Sequence, residues 1–128
     1  MNGERFVAEV KNLAEVDSNE RAREAVRATL ETLGERLAGN EPSNLAAQLP
    51  PEVAPFVEGE GGREAFAVEE FYGRVARKEG VDEEEAVKHA RAVATVLQTA
   101  VTGGELGDVR SQLGKGYGEL FGQPGSSA

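Results

Sequence analysis

Two stretches of the chain carry the same stripe of apolar positions. In the first, Ala22, Val26, Thr29, Leu30, Leu33 and Leu37 stand at offsets of 0, 4, 7, 8, 11 and 15; in the second, Ala86, Ala90, Val93, Ala94, Leu97 and Val101 repeat those offsets. The spacing follows one face of a helix, so each stretch predicts a long helix with a buried side. Val16-Asp17 precedes the first and Val81-Asp82 the second, with Glu20 and Glu85 three residues past each Asp. This is the capping-box spacing, with Asp in place of Ser or Thr. Each long helix is expected to end near glycine, Gly39 in one copy and Gly103-Gly104 in the other.

The flanks match as well. A shorter amphipathic helix is expected before each long one, with Phe6 and Val10 answering Phe71 and Val75. Another short helix follows each, ending in Gln48-Leu49 and in Gln112-Leu113, and Glu41-Pro42 suits the first turn of the earlier one. A last apolar turn closes each copy, PEVAPFV and KGYGELF. Between the copies the glycines and charges of VEGEGGREAFA read as a loop. The layout is a first helical repeat over 4–57, a linker over 58–66, a second repeat over 67–121 and a flexible tail over 122–128, together one compact domain. No segment alternates as a strand would. The fold class is all-α: a bundle of about eight helices built from two similar halves.

Composition narrows the chemistry. Among 128 residues there is no Cys and one His, which excludes disulfides, thiolate metal sites, cysteine nucleophiles and multi-histidine metal centres. Residues 1–62 hold 12 acids and six bases, and residues 63–128 hold 11 and eight, for a net −9. Nucleic-acid binding draws much of its affinity from phosphate neutralisation, so neither half is expected to bind it. No run is long and apolar enough to span a membrane, and the first 25 residues lack a secretory pattern. The acids are 20 Glu to 3 Asp and the bases 10 Arg to 4 Lys, a bias that favours helices.

The segments AVRATLETLGERLAG, NLAAQLP, FYGRVARKEGV and ARAVATVLQTAVTGGEL closely resemble domain-of-unknown-function family 2267, over roughly residues 5–121. The step from LGERL to LAAQLP is the most specific part. The resemblance implies a small, all-helical cytoplasmic protein of bacteria or archaea with two related halves. It carries no assigned activity and therefore no catalytic residues. The second half departs from the first where Leu113-Gly114-Lys115-Gly116 stands for Leu49-Pro50-Pro51-Glu52.

Candidate chemistry is sparse. His89 is the one side chain that titrates near neutrality unperturbed; it sits at the edge of the second stripe, and Glu85, four residues earlier, can hold its ring. The pair is a candidate polar site, although the aligned position in the first half is Ala25 and a helix-flank histidine looks the same. The run Asp82-Glu83-Glu84-Glu85 suits the first turn of a helix better than a cation site. GKGYGELFG lacks both the upstream glycine and the Ser or Thr of a phosphate loop. Of seven aromatics, most should be core, while Tyr72, Tyr117 and Phe121 are candidate partner contacts. The last two lie on a turn weakened by glycines, and core packing against the second long helix is the alternative for them. No metal, cofactor or catalytic set is expected.

The expectation is thus a non-enzymatic helical protein-interaction module that binds a protein partner or itself, with neither nucleic acid nor membrane as partner. The alternative is a carrier or sensor of a small apolar ligand between the halves, which calls for an enclosed cavity there. A third reading, an enzyme using carboxylates alone, calls for a buried, convergent Glu pair of raised pKa.

Overall fold

The computed structural model describes residues 1–59 and 64–122, and among these the chain is all helix, with no strand. Seven α-helices and one 3-10 helix follow in order: α1 (Gly3–Ala14), α2 (Asn19–Arg36), α3 (Glu41–Ala46), α4 (Ala54–Glu58), α5 (Val68–Glu79), α6 (Glu83–Ala100), α7 (Gly103–Leu113) and the 3-10 helix Lys115–Phe121. The central part of the expected linker, 60–63, and all but Gly122 of the expected tail lie outside the described residues.

The two long helices pack against each other and are flanked crosswise, α1 lying against both α2 and α6 and α5 against both α6 and α2. The stripes point inward as their spacing predicts. Every member of the first is buried, and so is the second as far as Leu97, while Val101 is half-buried. Phe6 and Phe71 have no exposed surface, and Phe71 meets Tyr117 edge to face at 5.8 Å.

Corresponding positions stand 64 or 65 residues apart, and several of their bonds correspond too. The Thr102 N–H donates to Gln48 Oε1 at 2.8 Å, and the Ala38 N–H to Gln112 Oε1 at 2.9 Å. Each glutamine thus satisfies a backbone donor beyond the end of the other long helix, and α3 lies against α7. Both short leading helices end in a left-handed residue, Gly80 at φ 73° and Glu15 at φ 57°. Glycine takes this conformation freely, whereas Glu15 meets a steric cost there.

Two expectations about helix ends need correction. Asp17 caps nothing. Ser18 opens α2, its Oγ accepting the Arg21 N–H at 3.1 Å, whereas Asp82 does cap α6, accepting the Glu85 N–H at 2.8 Å. Both residues can cap; the chain enters α2 one residue later than the Asp-to-Glu spacing indicates, so that Ser18 and Asp82 correspond. Likewise Gly103-Gly104 does not end α6 but starts α7, with Thr102 as its cap. Alanine at Ser18 or at Asp82 is expected to cost about 0.5–2 kcal/mol, and alanine at Asp17 close to nothing, read from urea unfolding midpoints.

Of the described glycines, Gly34 is the most closely approached by another part of the chain. A Cβ there would run into the Val57 carbonyl of α4, which is backbone and cannot turn aside. At the corresponding place on α6, Gln98 reaches out instead and its Nε2 donates to the Phe121 carbonyl at 3.1 Å.

Candidate functional site

The sequence places Glu85 and His89 one helical turn apart on α6, and the structure brings them together: His89 Nε2 lies 3.1 Å from Glu85 Oε2. A third group, missed by the sequence reading, completes the cluster. Glu79, the last residue of α5, puts Oε1 2.8 Å from His89 Nδ1. The His89 side chain is 1% exposed and that of Glu79 4%, while Glu85 is 44% exposed and forms the edge toward water. With a carboxylate oxygen at each ring nitrogen, only the doubly protonated imidazolium satisfies both. The hydrogen bond to Glu79 accordingly raises the His89 pKa, against the desolvation of its buried ring and with help from both carboxylates. Neither nitrogen is free to take a proton from a substrate. The cluster ties the end of α5 to α6, and the signal for it was in the alignment of the halves: Glu79 and His89 stand where the first half has Ala14 and Ala25, both fully buried.

A second cluster escaped the sequence reading altogether. Glu41 at the start of α3 and Glu105 in the first turn of α7 correspond at an offset of 64, and the packing of α3 on α7 brings them face to face. They are 7% and 8% exposed, and with both ionised the Oε2 atom of each is shut off from solvent and meets no donor. Asp108, exposed on the next turn of α7, joins them, and one oxygen from each of the three lies within 4.8 Å of the others. Burial first, and then the hydrogen bond and charge of Glu41, push Glu105 up to about 7. The pair can therefore hold a proton near neutrality. The signal available in the sequence was the 64-residue offset, which sets the two acids at matching positions.

The aromatic candidates do not form a surface. Tyr72, Tyr117 and Phe121 are all buried. The Tyr117 hydroxyl donates to the Phe66 carbonyl at 2.7 Å, and the Arg36 guanidinium lies over its ring at 5.4 Å. Phe121 lies under Arg110 at 5.4 Å. The glycines expected to loosen this turn instead let it fold as a tight 3-10 helix against α6, where the aromatic area is worth more inside than out. These residues belong to the core, which corrects the candidate contact and, for Tyr117 and Phe121, decides for the alternative of core packing.

The apolar surface that is exposed lies elsewhere. A groove of about 490 Å³ runs along α6 past Glu84, Val87, Lys88, Arg91, Ala92 and Thr95, with Leu13 of α1 at its other wall. Leu13 is 51% exposed, unusual for a large apolar side chain in this molecule. A smaller open cleft of about 350 Å³ lies over Arg36, Phe66, Ala67, Leu113 and Tyr117.

Among the described residues, no helix is long and apolar enough to cross a membrane. Compared with curated proteins, the chain has no match. The family model described as an uncharacterized conserved protein, DUF2267, matches residues 3–120, nearly the whole chain, and to that family the chain belongs.

Proposed function

We propose that the protein is a non-enzymatic helical interaction module, and that its groove along α6 receives an amphipathic helix of acidic character from a protein partner. The observation that carries this reading is the make-up of the groove. Glu84, Val87, Lys88, Arg91, Ala92 and Thr95 follow a helical repeat along one face, so α6 turns a second stripe outward while its first is buried in the core. Leu13 and the half-buried Val87 offer apolar area over the buried Ala92. Lys88, paired with Glu15 at 3.4 Å, and Arg91 bring two cations against the one acid, Glu84, on a chain whose net charge is −9. From residue 84 to 95 the face is about 16 Å long, enough for three turns of a docked helix. A helix with leucines on one side and glutamates beside them matches both features.

The chain is read here as two copies of one unit, for which the Gln48 and Gln112 bonds and the corresponding positions of Glu41 and Glu105 speak. Its expected indifference to nucleic acid follows from the charge of both halves.

Glu41 and Glu105 favour a second reading, an enzyme working through carboxylates alone. Their Oε2 atoms are out of reach of solvent, so an organic substrate would have to part α3 from α7 to meet them. That barrier favours the module.

The test uses a labelled peptide of Leu and Glu in helical spacing, followed by fluorescence anisotropy. Binding in the micromolar range is expected, weakened at least tenfold by Leu13→Asp and by Arg91→Glu. A counterpart peptide with Lys for Glu should bind far more weakly. Equal binding of the two peptides, or no effect of either substitution, would overturn the reading. Light scattering on the same variants tells whether the helix comes from a second copy of the chain: a dimer lost in Leu13→Asp identifies self-association.

A further inference from the structure

We infer that Glu41, Glu105 and Asp108 form a binding site for one divalent cation of about the size of calcium, held where α3 meets α7. The inference is independent of the proposed groove. Two observations carry it. One oxygen from each carboxylate lies within 4.8 Å of the other two. Glu41 and Glu105 are also more than nine-tenths buried, and with both ionised each keeps a solvent-shielded Oε2 that meets no donor. Among the described residues no Lys, Arg or His pairs with any of the three. Buried acceptors without donors are costly, and a cation satisfies both at once.

The donor set selects the ion. Three carboxylates and no nitrogen or sulfur are the ligands of hard cations. Calcium takes six to eight oxygens at about 2.3–2.6 Å in a flexible shell, whereas magnesium demands a near-octahedral shell at about 2.0–2.1 Å and gives up its waters reluctantly. Carboxylates fixed on two packed helices therefore suit calcium better. Asp108 lies on the solvent side, where water can complete the shell. A cation seated there links the first turn of α3 to that of α7, two helices that meet across the 64-residue spacing, and so couples their contact to its own concentration.

Equilibrium dialysis with radioactive calcium in 0.15 M KCl at pH 8, together with thermal melting in 10 mM CaCl2 against EDTA, tests the site. One calcium per chain is expected, with a dissociation constant of about 0.1–1 mM, the range of weak protein calcium sites. The melting midpoint should rise by about 5–10 °C, and magnesium at the same concentration should do less. Asp108→Asn, on an exposed residue, keeps the fold and should weaken binding at least tenfold; Glu105→Gln should abolish the shift. Glu83→Gln with Glu84→Gln, on the exposed acidic run, should leave both readouts unchanged. Absence of bound calcium and of any shift, equal binding by Asp108→Asn, or loss of binding in the Glu83 and Glu84 variant would each overturn the site.

Discussion

Alanine in place of either Glu79 or His89 should destabilise the protein by about 3–5 kcal/mol at pH 6, and alanine at both should cost at least about 2 kcal/mol less than the two losses added. The first figure is the usual consequence of stranding one member of a buried ion pair. Without His89, the Glu79 carboxylate, 4% exposed and already short of a partner at Oε2, keeps its charge in a closed site. Without Glu79, the buried imidazolium retains one carboxylate, at its wetter edge. Removing both takes away the stranded charge and leaves a cavity, which is the milder defect. The first half shows that the site can be built apolar: Ala14 and Ala25 occupy it there, and the bulkier Val26 and Leu30 stand where the second half has Ala90 and Ala94. Urea unfolding of the two single variants and the double variant closes the cycle. Additive losses would mean that the bonds to His89 add nothing to the stability of α5 on α6.

Raising the pH from 5 to 8 in EDTA should lower stability by about 1–3 kcal/mol through Glu105 alone. Its folded pKa, pushed up to about 7, lies above the ordinary carboxyl value of 4.5. Between the two values the folded chain holds a proton that the unfolded chain has released, so stability is full below about 4.5 and falls as pH rises through about 7. His89 acts in the same direction. Its pKa is also raised on folding, chiefly by the bond to Glu79, so its contribution is complete below the unfolded value of 6.5 and is lost above it.

The opposite slope lies at the acid end. Glu35 is held below its ordinary value because hydrogen bonds from Lys78 and Arg74 outweigh its partial burial, and Glu70 is lowered first by its bond from Arg74. Their contributions are present above 4.5 and lost as the pH falls below it. Maximum stability is therefore expected near pH 5–6, by thermal melting across a pH series. Glu105→Gln should flatten the limb between pH 5 and 7 and be more stable than the parent at pH 8. A parent chain whose midpoint rises from pH 6 to 8 would show that the Glu41–Glu105 contact does not hold its proton.

The helices themselves could be read from the sequence, because the burial of one helical face is a local demand: Ala22 to Leu37 and Ala86 to Leu97 had to lie on a shared side whatever they packed against. Phe6 and Phe71 were placed in the core for the same reason, and the membership in the family was legible from LGERL and LAAQLP. Helix ends were harder. A cap is decided by one hydrogen bond, so a single residue of slack in the entering chain was enough to pass the role from Asp17 to Ser18. Spacing along one helix also revealed Glu85 beside His89, four residues apart. It could not reveal Glu79, which reaches His89 across the α5–α6 packing and, at a helix end before a glycine, looks like any solvated acid. Tyr117 and Phe121 stayed open between contact and core because a glycine-rich turn is weak by itself, and only the wall of α6, with Arg36 and the Phe66 carbonyl at hand, makes it worth ordering. The meeting of Glu41 with Glu105 was decided wholly by tertiary structure. Each is an unremarkable first-turn acid on its own helix, and the contact that desolvates them, raises one pKa and sets three carboxylates together exists only once α3 and α7, 64 residues apart in register, come to lie against each other.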